Sequence, residues 1–111
     1  MLLDYHLHTS LCRHAEGSPR EYAAVAAALG LSEIGFSDHI PVPRGYDSRF
    51  RMDEDEFPTY RKLVEDASAV SRDMTVRFGI EADWVPGRMD EVYAFLEEGR
   101  FDYVIGSIHY V

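Results

Sequence analysis

The sequence predicts an α/β fold in which short parallel strands alternate with helices. Four apolar segments of strand-like composition are separated by three segments whose apolar residues recur at helical spacing. Each of the four also carries polar residues of similar chemistry near its end, mostly histidine and carboxylate. Strands that alternate with helices pair in parallel through right-handed crossovers, so their carboxyl ends share one edge of the sheet.

The first half of the chain contains two predicted strands, "LLDY" and "LSEIGFSDH", with a helix between them. The helical segment "SPREYAAVAAALG" begins with a capping box formed by Ser18 and Glu21, and Pro19 occupies the first helical position. Gly30 provides the C-terminal stop. The expected buried face of this helix consists of Tyr22, Val25, Ala26 and Leu29.

The second half begins with the loop "IPVPRGYDSRF", which contains two prolines and a glycine. A long helix is predicted from Asp53 to Arg72, with Pro58 in or near its first turn. The strand "MTVRFGIEAD", the helix "PGRMDEVYAFLEEG" and the strand "FDYVIGSIHYV" complete the alternation. The expected buried stripe of the long helix consists of Phe57, Tyr60, Leu63, Val64, Ala67 and Val70.

The composition indicates one small globular domain and limits its partners. The chain has 111 residues and a formal net charge of −9, which argues against binding to a nucleic-acid backbone. Its single cysteine excludes an internal disulfide and favours a reducing compartment. No segment resembles a signal peptide, and none approaches the roughly 20 apolar residues of a membrane span. We therefore expect a cytoplasmic protein without a membrane segment.

Potential metal ligands accompany the first strand. Asp4, His6 and His8 alternate along the chain, so on an extended segment they point to the same side. Two imidazoles on one face are able to chelate one ion, with Asp4 placed to orient a ring. The same spacing is equally consistent with the polar face of an alternating strand. His6 and His8 alone therefore do not decide between a metal site and a solvent-facing strand surface.

Similar side chains accompany the other three strands. His39 ends the second strand, Glu81 lies near the end of the third, and His109 lies near the end of the fourth. Glu81 lies in the apolar stretch "FGIEAD", where a carboxylate needs either an arginine partner or a metal. Alone, His39 and His109 are each compatible with simple hydrogen bonding. The coincidence of such residues at four carboxyl ends favours a metal site.

A site of histidines and carboxylates without clustered thiolates suits zinc, iron or manganese in hydrolysis. Several such ions close together hold a hydroxide and clamp a phosphoryl group. Arg44, Arg49 and Arg51 follow His39 in the loop at the same end, and guanidinium groups bind phosphate monoesters well. For any single one of these arginines, pairing with the acidic surface is the favoured alternative. We expect Arg49 and Arg51 to contact a small-molecule phosphate monoester.

Four segments, "DYHLHTSLCRHAEG", "GFSDH", "GIEAD" and "GSIHYV", resemble the successive motifs of the PHP family, the polymerase and histidinol-phosphatase domains. The stretch "SDHIPVPRGYDSRFRM" resembles the histidinol-phosphatase branch more than the polymerase-associated branches. The resemblance implies that residues 1–111 are the N-terminal half of a distorted (βα)7 TIM-like barrel. The C-terminal half of such a domain, with an Asp-x-His pair of further ligands, has no counterpart in this sequence.

The resemblance also implies a cofactor and a reaction. It implies three divalent metals, with His6 and His8 on the first and Glu81 bridging the first to the second. It further implies that His109 binds the second metal and that His14 and His39 bind the third. The implied ligands are His6, His8, His14, His39, Glu81 and His109. The implied reaction is hydrolysis of L-histidinol phosphate to L-histidinol and phosphate in histidine biosynthesis.

Two other functions stay open from the sequence alone. One is a PHP phosphoesterase or nuclease module of a nucleic-acid enzyme, which the acidic charge and the missing basic patch disfavour. The other is an inactive, truncated half-barrel that binds metal weakly or completes its sheet with another chain. An exposed edge at the fourth strand would favour such association, including a homo-oligomer.

Overall fold

The protein forms one parallel four-stranded sheet with a helix between successive strands. This computed structural model describes residues 3–12 and 17–108. The strands follow the order β1-β2-β3-β4 across the sheet, and each neighbouring pair is parallel. The elements are β1 (Leu3–Leu7), α1 (Pro19–Ala28), β2 (Glu33–His39), α2 (Phe57–Ser68), β3 (Thr75–Asp83), α3 (Met89–Gly99) and β4 (Tyr103–Ser107). The predicted α/β alternation is confirmed.

The hydrophobic core lies between the sheet and the helices. Apolar residues of β2 and β3 meet residues from all three helices in one buried cluster. Fully or nearly fully buried members of this cluster are Ala23, Ile34, Phe36, Tyr60, Val64, Ile80 and Val92. Because β2 and β3 are the central strands, they carry the side chains that the helices cover most completely.

Helix α1 buries a different face from the one that its periodicity predicted. Ala23 and Ala26 are buried. Three larger apolar side chains that were predicted to be on the buried face with Ala26 are exposed, namely Tyr22, Val25 and Leu29. The helix packs against both α2 and β2, and the small alanine side chains permit that close approach. The exposed side chains instead border a shallow apolar groove beside β1.

Helix α2 is shorter than the predicted helix over Asp53–Arg72. A separate 3-10 turn, Glu54–Glu56, comes first, and α2 itself begins at Phe57. At its end the hydroxyl of Ser68 donates to the Glu65 carbonyl at 2.6 Å, which takes up a backbone acceptor of the last turn. The predicted stripe is confirmed at Tyr60, Val64 and Ala67. No helix within the described ranges has both the length and the apolarity to cross a membrane.

Tyr103 of β4 shows that the sheet is curled. Its hydroxyl donates a hydrogen bond of 2.5 Å to the carbonyl oxygen of Tyr5 on β1. In a flat sheet these two edge strands would lie about 14 Å apart, too far for one tyrosine side chain. The ring passes against Gly35 and Gly79 of the central strands, where an added Cβ atom would collide with it. The predicted half-barrel is thus confirmed, and the two glycines make room for its curvature.

Replacing Gly79 with alanine is expected to destabilise the full-length protein by about 1–3 kcal/mol, because the overpacked ring of Tyr103 must move. Urea titrations give the free energy of unfolding. A double-mutant cycle with Tyr103→Leu identifies the cause, since Gly79→Ala should cost much less once the ring is gone. Equal costs in the two backgrounds would contradict this explanation.

A polar cluster of Tyr5, Glu33 and Arg77 joins the first three strands. The Tyr5 hydroxyl and the Arg77 guanidinium both donate to the Glu33 carboxylate, the latter at 2.6 Å. The hydrogen bond from Tyr5, followed by that from Arg77, lowers the pKa of Glu33 below its ordinary value. A carboxyl group whose pKa is depressed by folding stabilises the folded state at neutral pH and loses this contribution in acid.

Glu33→Gln is therefore expected to lower the free energy of unfolding at pH 7 and to have little effect in acid. The difference from wild type should be constant above the unfolded glutamate pKa of about 4.3 and should shrink as the pH falls below it. Urea titrations across this range measure the difference, and Glu65→Gln on the exposed side of α2 is the matched control. A difference that grew on acidification would rule out this role for Glu33.

Candidate metal centre

Glu81 lies at the centre of a cluster of three histidines. It is near the end of β3, it is 3% exposed, and its register partner on β2 is His39. Nδ1 of His39 lies 2.9 Å from Oε2 of Glu81. At the other carboxylate oxygen, Oε1, Nε2 of His6 makes a close contact and Nε2 of His8 lies at 3.6 Å. The structure thus brings together four of the six ligands that the resemblance implied.

The cluster stabilises the charged form of the Glu81 carboxylate. Burial by itself would raise the pKa of Glu81, but hydrogen bonds with His39 and His8 hold it well below its ordinary value. The same contacts act in the opposite direction on His8, because its hydrogen bonds to Asp38 and Glu81 raise the pKa of His8 to about 10. The carboxylates of Asp38 and Glu81 therefore favour a positive charge at His8, which lies between them.

Two overlapping groups of side chains have the geometry of metal sites. His6, His8 and Glu81 form one group, and His39, Glu81 and Asp83 form the other. Within each group the potential ligand atoms lie within 4.8 Å of one another. Glu81 belongs to both groups and turns one carboxylate oxygen toward each. Imidazole nitrogen and carboxylate oxygen suit divalent zinc, iron and manganese, so the residues present fit ions of this kind.

Asp38 holds His8 in place, and reasoning from the sequence did not identify it as a site residue. Its fully buried carboxylate lies 3.3 Å from Nδ1 of His8 and accepts hydrogen bonds from the hydroxyl and the amide of Thr9, the latter at 3.1 Å. With Nδ1 facing Asp38, Nε2 of His8 is directed toward Glu81. Such a carboxylate fixes the ring of a metal-binding histidine. The available signal was an aspartate within the apolar segment "GFSDH".

The two arginines that were expected to bind phosphate lie in different environments. Arg49 is exposed on the short 3-10 turn Ser48–Phe50, with its guanidinium carbon 5.2 Å from the centre of the Phe50 ring. Arg51 is only 2% exposed and donates to the Asp83 carboxylate at 2.7 Å. The burial and ion pairing of Arg51 favour a role inside the protein over direct contact with a substrate.

Asp4, His14 and His109 were also predicted to be near the metal site. Asp4 accepts a hydrogen bond from the backbone amide of His6 at 3.1 Å, so its carboxylate supports the strand rather than a ring. His14 and His109 lie outside the described residues. The fourth strand does reach this edge of the sheet. The hydroxyl of Ser107 lies 3.4 Å from Oε2 of Glu81 and 3.4 Å from Oδ1 of Asp83.

A parallel half-barrel with histidines and carboxylates at the carboxyl ends of its strands is the architecture of barrel proteins that bind metal ions at that edge. The model of the PHP domain family matches residues 4–111 of this chain. The chain belongs to the PHP domain family. The family that the four sequence motifs indicated is thus confirmed.

Relatives within this family are named as histidinol-phosphatases. The chain is 46% identical over 114 residues to the "Probable histidinol-phosphatase" of Deinococcus radiodurans, a match that covers 99% of this chain and 43% of that protein. It is 30% identical over 110 residues to the "Histidinol-phosphatase" of Lactococcus lactis, covering 96% of this chain and 39% of that protein.

A solved structure shares the fold. The crystal structure of histidinol phosphate phosphatase from Lactococcus lactis, complexed with zinc, L-histidinol and phosphate, matches with a TM-score of 0.83 and 27% sequence identity. The match covers 98% of this chain and 40% of that one. This chain therefore spans less than half of the length of each of these relatives.

Proposed function

We propose that the protein to which this chain belongs is a metal-dependent phosphomonoesterase that hydrolyses L-histidinol phosphate to L-histidinol and phosphate. The observation that carries this proposal is the buried carboxylate of Glu81 between three imidazoles, at the edge where barrel enzymes have their active sites. The choice of substrate rests on the relatives, above all the one at 46% identity and the enzyme crystallised with zinc, L-histidinol and phosphate. In this function the protein acts in histidine biosynthesis in the cytoplasm.

The proposed cofactors are three divalent metal ions, chosen from zinc, iron and manganese. The proposed ligands from this chain are His6, His8, His14, His39, Glu81 and His109. When bound, such ions act as Lewis acids and lower the pKa of a bound water, which supplies hydroxide near neutral pH. We infer that residues 1–111 are the N-terminal portion of the PHP domain and that the relatives' further length contributes the other ligands.

The described side chains have distinct tasks in this proposal. Glu81 links the two ligand groups, because it offers one oxygen to His6 and His8 and the other to His39. Asp38 keeps His8 turned so that Nε2 is available. Arg49, which is exposed in the loop after β2, is the proposed contact for the phosphate, since a guanidinium pairs with phosphate oxygens through two parallel hydrogen bonds.

The charge of the protein is consistent with this small substrate. A phosphate monoester carries about −1.5 to −2 charge at neutral pH, so an acidic protein must supply local positive charge to bind it. Metal ions and one guanidinium would supply this positive charge at the active site. A nucleic-acid backbone needs an extended basic surface instead, which a net charge of −9 does not favour. A homo-oligomer, which the sequence left open, stays a prediction.

The test is phosphate release from L-histidinol phosphate by the full-length protein loaded with zinc or manganese. We expect hydrolysis that a chelator abolishes and added metal restores. A single-stranded oligonucleotide and bis(p-nitrophenyl) phosphate, both phosphodiesters, are the competing substrates. Turnover of the phosphodiesters alone would support the nuclease alternative. Inactivity toward all three compounds with metal bound would contradict an enzymatic role.

Glu81→Gln in the full-length protein should lose both bound metal and activity, because one substitution removes a charge from both ligand groups. Arg49→Ala should keep its metal and lower kcat/KM by on the order of 10²–10³, the effect of one donor to a transferring group. Elemental analysis and steady-state kinetics on both variants distinguish these results. Full metal occupancy and normal turnover in Glu81→Gln would exclude the bridging role.

Asp38→Asn is expected to weaken metal affinity by about 10–100-fold, because an amide holds the His8 ring less firmly than a carboxylate does. Competition with a chromophoric chelator measures the dissociation constant of zinc. Asp90→Asn, in the exposed first turn of α3, is the matched control and should leave the affinity unchanged. If both variants bind zinc like the wild type, Asp38 serves the fold alone.

A further inference from the structure

Arg51 has the bulkiest of the fully buried side chains, and it lies beside the ligand cluster rather than within it. Its guanidinium donates to the Ile40 carbonyl at 2.8 Å, to the Asp47 carbonyl at 3.1 Å and to the Asp83 carboxylate at 2.7 Å. A buried cation is tolerated only where its donors have acceptors in good geometry. These three contacts meet that condition, so Arg51 is an integral part of this region.

Two of the three acceptors belong to the strand ends that carry proposed ligands. Ile40 directly follows His39 at the end of β2, and Asp83 lies two residues beyond Glu81 at the end of β3. A backbone hydrogen bond of 2.9 Å from the Ile40 amide to the Glu81 carbonyl joins the same two ends. Arg51 therefore ties together the backbone segments from which His39 and Glu81 project.

The carboxylate of Asp83 has two possible partners, the guanidinium of Arg51 and a metal ion bound at His39 and Glu81. Its side chain is fully buried and belongs to the group of potential ligands with His39 and Glu81. In the structure its Oδ2 accepts the hydrogen bond from Arg51, and its Oδ1 lies 3.4 Å from the Ser107 hydroxyl. A charge-assisted hydrogen bond from a guanidinium is among the stronger ones, so it fixes the orientation of the carboxylate that accepts it. The contact with Arg51 thus sets the orientation in which the Asp83 carboxylate lies beside His39 and Glu81.

We propose that Arg51 is a positioning residue that keeps Asp83 out of the metal-ligand set. This role rests on the proposed metal-dependent function. Arg51 holds Asp83 at the border of the site, so that Glu81 is the carboxylate of β3 that binds the ions. Loss of Arg51 lets Asp83 turn to the ion held by His39 and Glu81. That ion then gains an oxygen ligand and a negative charge.

Cobalt(II) alone is the probe, because its visible spectrum reports coordination number without any measurement of activity. The full-length protein carrying Arg51→Met should show a visible absorbance per bound cobalt that is lower than that of the wild type by up to about one third, since an added oxygen ligand moves one of the three proposed ions toward six-coordination. Arg51→Lys retains a cation beside Asp83. We expect it to keep the wild-type spectrum even though it loses some of the three hydrogen bonds.

Substitution of Asp83 tests the cause of the change. Asp83→Asn alone should keep the wild-type cobalt spectrum, because Asp83 is not a ligand in the proposal. The double variant Arg51→Met/Asp83→Asn should return to the wild-type spectrum. Arg61→Met is the matched control, since Arg61 also donates to a backbone carbonyl, that of Gly99 at 2.6 Å, but lies on α2 away from the cluster. It should lower stability and leave the spectrum unchanged.

The outcomes separate this inference from the proposed function. A changed spectrum in Asp83→Asn would make Asp83 a ligand and overturn the inference, and so would a folded Arg51→Met protein with the wild-type spectrum. If Arg51→Met does not fold, the decision falls to Asp83→Asn and Arg51→Lys, and a departure of either from the wild-type spectrum overturns the inference. A wild-type protein that binds no cobalt would contradict the metal-dependent function itself.

Discussion

A buried carboxylate surrounded by imidazoles is the constraint on which the rest of this structure depends. Moving a carboxylate out of water costs several kcal/mol, on the order of what one ion pair returns, so Glu81 is stable only if its histidine partners are placed correctly. Those histidines come from β1 and β2, and Glu81 comes from β3. Parallel pairing places these partners correctly because it brings the carboxyl ends of all three strands to one edge of the sheet. The apolar side chains meanwhile pack between the sheet and the helices.

Two buried charges outside the ligand groups make this placement rigid. Asp38 holds the ring of His8, and Arg51 joins the ends of β2 and β3. Removing one partner of a buried ion pair typically costs about 3–5 kcal/mol, because the other charge is left without compensation. A slip of one residue between β2 and β3 would therefore separate Arg51 from its acceptors and Glu81 from His39. The same contacts that arrange the site also penalise the wrong strand register.

The order of the elements and the place of Glu81 were predictable because both follow from local patterns. Helical periodicity and caps mark the helices, and a carboxylate inside an apolar strand marks an unusual environment. The buried face of α1 was not predictable in this way. Hydrophobicity placed Tyr22 inside, whereas the close approach of neighbouring elements selected the alanines. Nor does local spacing reveal that Arg51 pairs with Asp83, because these residues lie 32 positions apart and meet only through the strand pairing.

In the proposed function, metal binding in this cluster replaces a proton with a divalent ion. Without metal, the hydrogen bonds from Asp38 and Glu81 raise the pKa of His8 to about 10, so a proton on that ring balances the carboxylates near neutral pH. Because a histidine must be neutral to bind a metal, an ion bound by His8, as we propose, would displace that proton. The ion would bring positive charge to the same carboxylates that the proton on His8 balances, with one charge more than that proton. Asp38 and Arg51 hold the ring of His8 and the strand ends in place in this structure, so in the proposal the ligands are positioned before an ion binds.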